Sequence, residues 1–228
     1  MFIVLFEVMP KPEQWERYLQ LAGLLRPELV QIDGFIENER YASDVREGKL
    51  LSLSTWEDEQ ALVRWRAHAG HHAVQREGRF EVFADYRLRV GRVWKQSQQA
   101  QQSQEVRQSQ HSQQAQQAQG VAGGAASWVT VDETRGGQSQ PGARAEGVAT
   151  QPETVAEAFT SITEADRRVL LASWPDEAQA RGWVETTDEM DDSDSLLIEV
   201  VRDYGMHDRG EAPQYFPQVG RGSEHEPG

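Results

Sequence analysis

Three of the chain's six histidines, His68, His71 and His72, fall within five positions just after Trp65. Histidine is the side chain whose ordinary pKa lets it hold or give up a proton near neutral pH, so the cluster is suited to general-base work or to hydrogen bonding a developing anion. A neighbouring Trp adds an apolar wall. On a regular helix Trp65, His68 and His72 lie within roughly 60° of one another, with His71 turned nearly away. That phase ranks His68 first, but Gly70 can break the helix and shift it, so all three stay candidates. Arg79, Tyr86 or Arg87 could hold an anion, and Phe6 belongs to the aromatic surface of the adjoining sheet. His68 and His72, four residues apart, have no HExxH pattern or carboxylate partner, so no metal site is read here. Trp65 also reads as a plain core residue, because Trp183 keeps the equivalent place in a stretch without the histidines.

The elements that must position these residues alternate clearly over 1–95. Phe2–Val8 is apolar on both faces, which marks a central strand covered on both sides. Pro12 opens a helix with Trp15, Leu19, Ala22 and Leu25/Leu29 at helical spacing, and Asp33-Gly34 ends it. Phe35–Ala42 and Lys49–Thr55 flank a hairpin turn. Asp58 opens a second helix that runs to about Gly78, and Val82–Trp94 is the last strand, with Tyr86, Leu88 and Val90 alternating against Arg87 and Arg89. The order β-α-β-β-α-β predicts an α+β, ferredoxin-like unit.

Such a unit leaves one face of its sheet bare, and the second half supplies a cover. Residues 51–65 (LSLSTWEDEQALVRW) align without a gap with 169–183 (VLLASWPDEAQARGW), so that Trp56 matches Trp174 and Trp65 matches Trp183. The internal repeat predicts two βαββαβ units, 1–95 and a degenerate copy at 127–217, packed sheet to sheet as a pseudo-dimer within one chain, with a homodimer as the competing arrangement. The second copy has strands near Trp128–Val131, Phe159–Thr163, Arg168–Ser173 and Leu196–Tyr204, while 134–151 is too rich in Gly, Gln and Pro for a first helix. Any pocket is expected in the first copy, with the place beside Trp183 filled or open to water. Residues 96–120 contain 13 Gln and almost nothing apolar, so 96–126 reads as a linker, spanning roughly 25–30 Å if flexible. Residues 218–228 read as a disordered tail. The acidic run 185–194 lacks the Gly and the closing Glu of a calcium loop and reads as a solvated loop.

Charge and composition narrow the function. Residues 1–95 hold 14 Lys+Arg against 15 Asp+Glu, and the rest 9 against 22, for a formal charge of −14 overall. That argues against nucleic acid or an anionic membrane as a partner. With no cysteine there is no disulfide framework, thiolate metal site or cysteine nucleophile. No apolar run has the roughly 18 residues of a membrane span, so a cytoplasmic protein is expected.

The run TWEDEQALVRWRAHAGHHAVQREGRFEVFADYRLRVGRV (55–93) resembles the antibiotic biosynthesis monooxygenase family, whose second helix and last strand read W-x-x-x-x-A-x-x-x-W-R-x-H-x-x-H-x-x-A-Q-x-x-G-R and then an aromatic D-Y strand. The resemblance implies a dimeric α+β barrel and oxygenation of small aromatic or polyketide-like molecules with O2 and no cofactor. It marks His68 and His71, and the family's Trp is followed six residues later by an ionisable or hydrogen-bonding group, which here is His71. One branch degrades haem and would make haem a substrate or ligand, but this chain has no Asn in its first strand and has Gln75 at that branch's His spacing. A non-catalytic small-molecule-binding barrel is the third reading, suggested by the eroded second copy.

Overall fold

The computed structural model describes residues 1–96, 127–136, 148, 153–190 and 194–212. The expected linker, from residue 97 on, the expected tail and most of 134–151 lie outside the described residues, as do 191–193 of the acidic run. The first half runs β1 (Phe2–Pro10), a short turn of 3-10 helix at Pro12–Gln14, α1 (Trp15–Leu29), β2 (Phe35–Ser43), β3 (Leu50–Trp56), α2 (Glu59–Ala67), α3 (Ala69–Glu77), a wide π-type turn at Gly78–Val82, and β4 (Phe83–Gln96). The second runs β5 (Ser127–Arg135), β6 (Val155–Ser161), β7 (Arg167–Trp174), α4 (Glu177–Met190) and β8 (Asp194–Gly205).

All eight strands join one closed antiparallel barrel in the order β1-β3-β2-β6-β7-β5-β8-β4. Each half contributes four consecutive strands of that ring. β1 pairs with both β3 and β4, and β5 with both β7 and β8, the same central placement in each half. The repeat is visible in the register: Trp56 sits opposite Phe2, and Trp174 opposite Trp128. The two sheets do not merely stack face on face. Their edges hydrogen-bond, β4 to β8 and β2 to β6, so that no strand edge of the ring is left unpaired.

Inside the barrel, Ile3 and Leu5 of β1 pack with Tyr41, Leu51, Phe159 and Ile198 from both halves. At Gly91 the Ile198 side chain of β8 lies directly against β4: a Cβ there would be 2.2 Å from it. The interior also buries charge. Glu7 holds Arg89 at 2.5 Å and Lys49 at 2.6 Å, and Lys49 reaches Glu157 of the second half at 2.7 Å. Arg167 likewise binds Glu37 at 2.7 Å and Glu133 at 2.8 Å. Of these pairs, Lys49–Glu157 and Arg167–Glu37 join the halves, and all of them satisfy charges that burial would otherwise make costly.

The opposite face of β1, with Phe2, Val4, Phe6 and Val8, turns to the helices. Gly34, at φ +81°, ends the α1–β2 connection in a left-handed conformation, and a Cβ there would meet Ala61 at 2.8 Å, so glycine lets α2 sit close. Asp58 caps α2 by accepting from the Ala61 N–H at 2.7 Å. In the second half Asp176 accepts from the Gln179 N–H at 2.9 Å, at the start of α4.

The continuous helix expected from Asp58 to about Gly78 is two helices. His68, in extended conformation (φ −65°, ψ 130°), ends α2 and begins α3. The break falls two residues before Gly70.

Candidate functional site

A cavity of about 250 Å3 lies between α1, α2, α3 and the helix-facing side of the first-half sheet. It is just under the usual range of about 300–1,000 Å3 for small-molecule pockets. The sheet contributes Val4 and Phe6 from β1, Trp56 from β3, and Tyr86, Leu88 and Val90 from β4. From α1 come Tyr18, Leu21, Leu25 and Leu29, and from α2 Leu62 and Trp65. Phe6, Phe83 and Tyr86 form one aromatic cluster, with ring centroids 5.7–6.0 Å apart. Such walls suit an apolar ligand body.

The helix break at His68 decides which histidine enters. The N–H of His68 donates to the Trp65 carbonyl at 3.1 Å, and α3 starts in a new phase. His71 and His72 line the cavity, whereas His68 is not among its lining residues. The His68 Nδ1 lies 3.3 Å from the Glu28 carboxylate of α1, with the ring about a third exposed. His71 stacks on Trp65, ring centroids 4.3 Å apart and 16° from parallel. Its Nδ1 lies 3.0 Å from the Trp65 carbonyl oxygen. A carbonyl can only accept, so Nδ1 carries the proton and Nε2 holds a lone pair. Burial lowers the His71 pKa to about 4, outweighing the opposite effect of the Trp65 carbonyl. The ring is therefore neutral near pH 7 and presents an acceptor.

At another part of the cavity the lining is cationic. Arg79, from the π-type turn, is 2% exposed. Its guanidinium pKa is pushed down by burial first and by the neighbouring Arg209 second. Arg209 donates to the Tyr86 hydroxyl and lies over the Tyr204 ring at 5.6 Å. Arg40, Arg66 and Arg202 complete a set of five arginines, and among the described residues no Asp or Glu lines the cavity. Arg202 is bonded to Glu59, which stands outside the lining.

Of the residues picked from the sequence, the fold brings Trp65, His71, His72, Arg79, Tyr86 and Phe6 together. It does not bring Arg87, whose guanidinium instead binds Asp203 at 2.5 and 3.0 Å. The reason is strand alternation: Tyr86, Leu88 and Val90 face the helices, so Arg87 and Arg89 point to the other side of β4. Sequence reasoning missed Arg202, Tyr204 and Arg209. In the β4–β8 ladder Tyr204 sits opposite Leu88 and Arg202 opposite Val90, so both follow cavity residues onto the same face. That pairing joins the two halves and has no local signature. Arg66 had a signal, since it stands inside the matched run 55–93, but neither it nor Arg40 stands out among the arginines of the sequence.

The equivalent place in the second half is occupied by side chains. Trp174 and Trp183 pack at 5.9 Å with Val148, Ala180 and Val184. Trp183 Nε1 donates to Asp132 at 2.7 Å.

Comparisons with known proteins give the family. Residues 1–77 match the family model described as antibiotic biosynthesis monooxygenase. Over 225 residues the chain is 39% identical to the jasmonate monooxygenase ABM of Pyricularia oryzae, covering 95% of this chain and 99% of that one. Among solved structures, the aldoxime dehydratase OxdRE with butyraldoxime superposes over 87% of this chain and 79% of its own at a TM-score of 0.51 and 12% identity, a likeness of fold alone. An antibiotic biosynthesis monooxygenase from Deinococcus radiodurans covers 42% of this chain and 94% of its own, at 17% identity and a TM-score of 0.38. On the identity and coverage of the Pyricularia relative, the chain belongs to the antibiotic biosynthesis monooxygenase family of oxidoreductases.

Proposed function

We propose that the chain is a monooxygenase whose single working site is the first-half cavity, and that its two halves act as a fused pseudo-dimer. The observation that carries the reading is a neutral, half-buried His71 that lines an apolar cavity, stacked on Trp65 with its Nδ1 engaged by the Trp65 carbonyl. A substrate with a carbon acidified by an adjacent carbonyl or aromatic ring gives up a proton toward Nε2. The resulting carbanion passes electrons to O2. For an activated methylene the balance closes without a donor. The methylene and one O2 become a ketone and one water, with four electrons leaving the carbon and four reducing O2. One oxygen atom enters the product and the other leaves as that water. In this reading no flavin, metal or haem takes part.

The protein's own contribution is positional and electrostatic. An imidazole with a low resting pKa becomes a better base as negative charge develops beside it, since the cation and the anion form together in a dry place. The aromatic walls exclude water once a substrate fills the cavity. The relative's activity puts jasmonate, a cyclopentanone carboxylic acid, ahead of the aromatic polyketides that the family resemblance alone suggests.

An oxygen electrode tests the proposal. Purified chain should consume O2 with jasmonate or with a dihydroxy-aromatic substrate, with no reductant added. Uptake with neither overturns it. A Soret shift on adding haem, coupled to haem loss, would instead favour the haem-degrading reading.

A further inference from the structure

The floor of the cavity is divided along its length by chemistry. Strand register lays two rows across the first-half sheet: Val90, Val4, Ser54 and Asn38 in one, Leu88, Phe6, Ser52 and Arg40 in the next. Both rows line the cavity throughout. The β4–β1 half of the floor is thus apolar and the β3–β2 half polar, with neighbouring strands about 4.8 Å apart. We infer that Arg40, Ser52 and Ser54 form an oxyanion site, which holds the substrate oxygen that becomes negative as a proton passes to His71. The inference rests on the proton transfer proposed above and assigns three further residues to it.

The polar half offers donors. Ser52 Oγ accepts from Asn38 Nδ2 at 3.0 Å, and Ser54 Oγ accepts from Trp56 Nε1 at 2.9 Å, so each hydroxyl proton is left to donate. Asn38 Nδ2 also donates to the Leu53 carbonyl at 3.1 Å, which fixes the amide and, through it, Ser52. Arg40 lies beside the neutral Tyr18 hydroxyl, and its Nε has no hydrogen-bond partner. Among the described residues no Asp or Glu lines the cavity. Three donors, one of them a cation, in an otherwise apolar chamber suit an oxygen that only accepts, and a negative one above all. When the C–H proton goes to His71, its electron pair moves through the adjacent π system onto the carbonyl oxygen and leaves an enolate. The apolar half of the floor takes the rest of the molecule. The substrate class is therefore a carbon acid or phenol whose oxygen is conjugated to the reacting carbon.

The test uses para-nitrophenol, whose phenol and phenolate forms absorb at different wavelengths, titrated against pH with and without the full chain. Bound probe should ionise about one pH unit lower than free probe, a tenfold preference for the phenolate. Arg40→Gln should remove most of that preference while the affinity for the phenol stays within about threefold. Arg40→Lys, which keeps the charge, should restore part of it. Ser52→Ala should weaken phenolate binding about 3–10-fold. Arg181→Gln, on α4 of the second half, should change nothing. The wild-type titration and Ser52→Ala decide even if Arg40→Gln does not fold. Failure of the probe to bind, an unshifted or raised ionisation in the wild type, or a preference unmoved in the folded variants overturns the inference. A phenolate preference lost with Arg40, in a chain that consumes no O2, would leave the oxyanion site standing and remove the monooxygenase reading. O2 uptake without the preference would do the reverse.

Discussion

Titrating stability from about pH 7.5 down to about pH 5 tests the setting of His71. Its ring takes a proton near 6.5 when exposed, but only near 4 when buried against Trp65. Between those values the unfolded chain binds more protons than the native one. Native stability is thus full above about pH 6.5 and falls as the pH drops toward 4. Each pH unit in that window is worth about 1.4 kcal/mol, giving about 3 kcal/mol for the whole gap and about 2 kcal/mol between pH 7 and 5. The ring borders a cavity that water can enter, so these are upper figures. The perturbation is His71→Gln, which keeps a donor for the Trp65 carbonyl and cannot titrate. Urea unfolding followed by circular dichroism at about pH 7.5, 6 and 5 gives the free energies of both proteins. Glu7 and Glu133, whose pKa values are held low by Arg89 with Lys49 and by Arg167 despite burial, add a further loss at lower pH. That loss is common to both proteins and cancels in the difference. The wild type should lose up to about 2 kcal/mol over this range that His71→Gln does not. Parallel curves would refute the burial argument, and with it the neutral, cavity-facing imidazole.

Glu7→Gln removes the carboxylate shared by Arg89 and Lys49 inside the barrel, and should cost about 3–5 kcal/mol, seen as a clear fall in Tm. Gly91→Ala pushes a methyl into Ile198 where β4 meets β8, and should cost about 1–3 kcal/mol by the same measurement. A fragment of residues 1–96 uncovers Ile3, Leu5, Tyr41 and Leu51 along with both unpaired edges. Size exclusion with light scattering should find it dimeric or aggregated, and the whole chain monomeric at 25.8 kDa; a stable monomeric fragment contradicts the pseudo-dimer.

Much of the fold could be read from local pattern. The two apolar faces of β1 announced a strand with one face toward helices and one toward a barrel interior, and the Trp-to-Trp spacing announced the repeat. The site was half legible. Trp65, Tyr86 and the histidine cluster were visible as residue types, and the alternation of β4 already separated Tyr86 from Arg87. The choice among the histidines was not, because it depends on a break in the helix at His68, and Gly70, two residues on, signalled that a break could come but not where. A regular helix puts His68 inward and His71 outward; the extended residue between α2 and α3 reverses them. Arg202 and Tyr204 were hidden for a different reason: contacts made by pairing strands more than a hundred residues apart leave no periodicity in either strand, and Arg209 follows in the turn after β8.

The central claim is that this cavity oxygenates its substrate using His71 and the substrate's own electrons. Isotope labelling tests it most directly: purified chain and its His71→Gln variant are each given jasmonate under 18O2, without reductant, and the product is read by mass spectrometry. The account predicts one labelled oxygen atom in the wild-type product and a rate about 10²–10⁴-fold lower in the variant. Unlabelled product, or the same rate from both proteins, would contradict it.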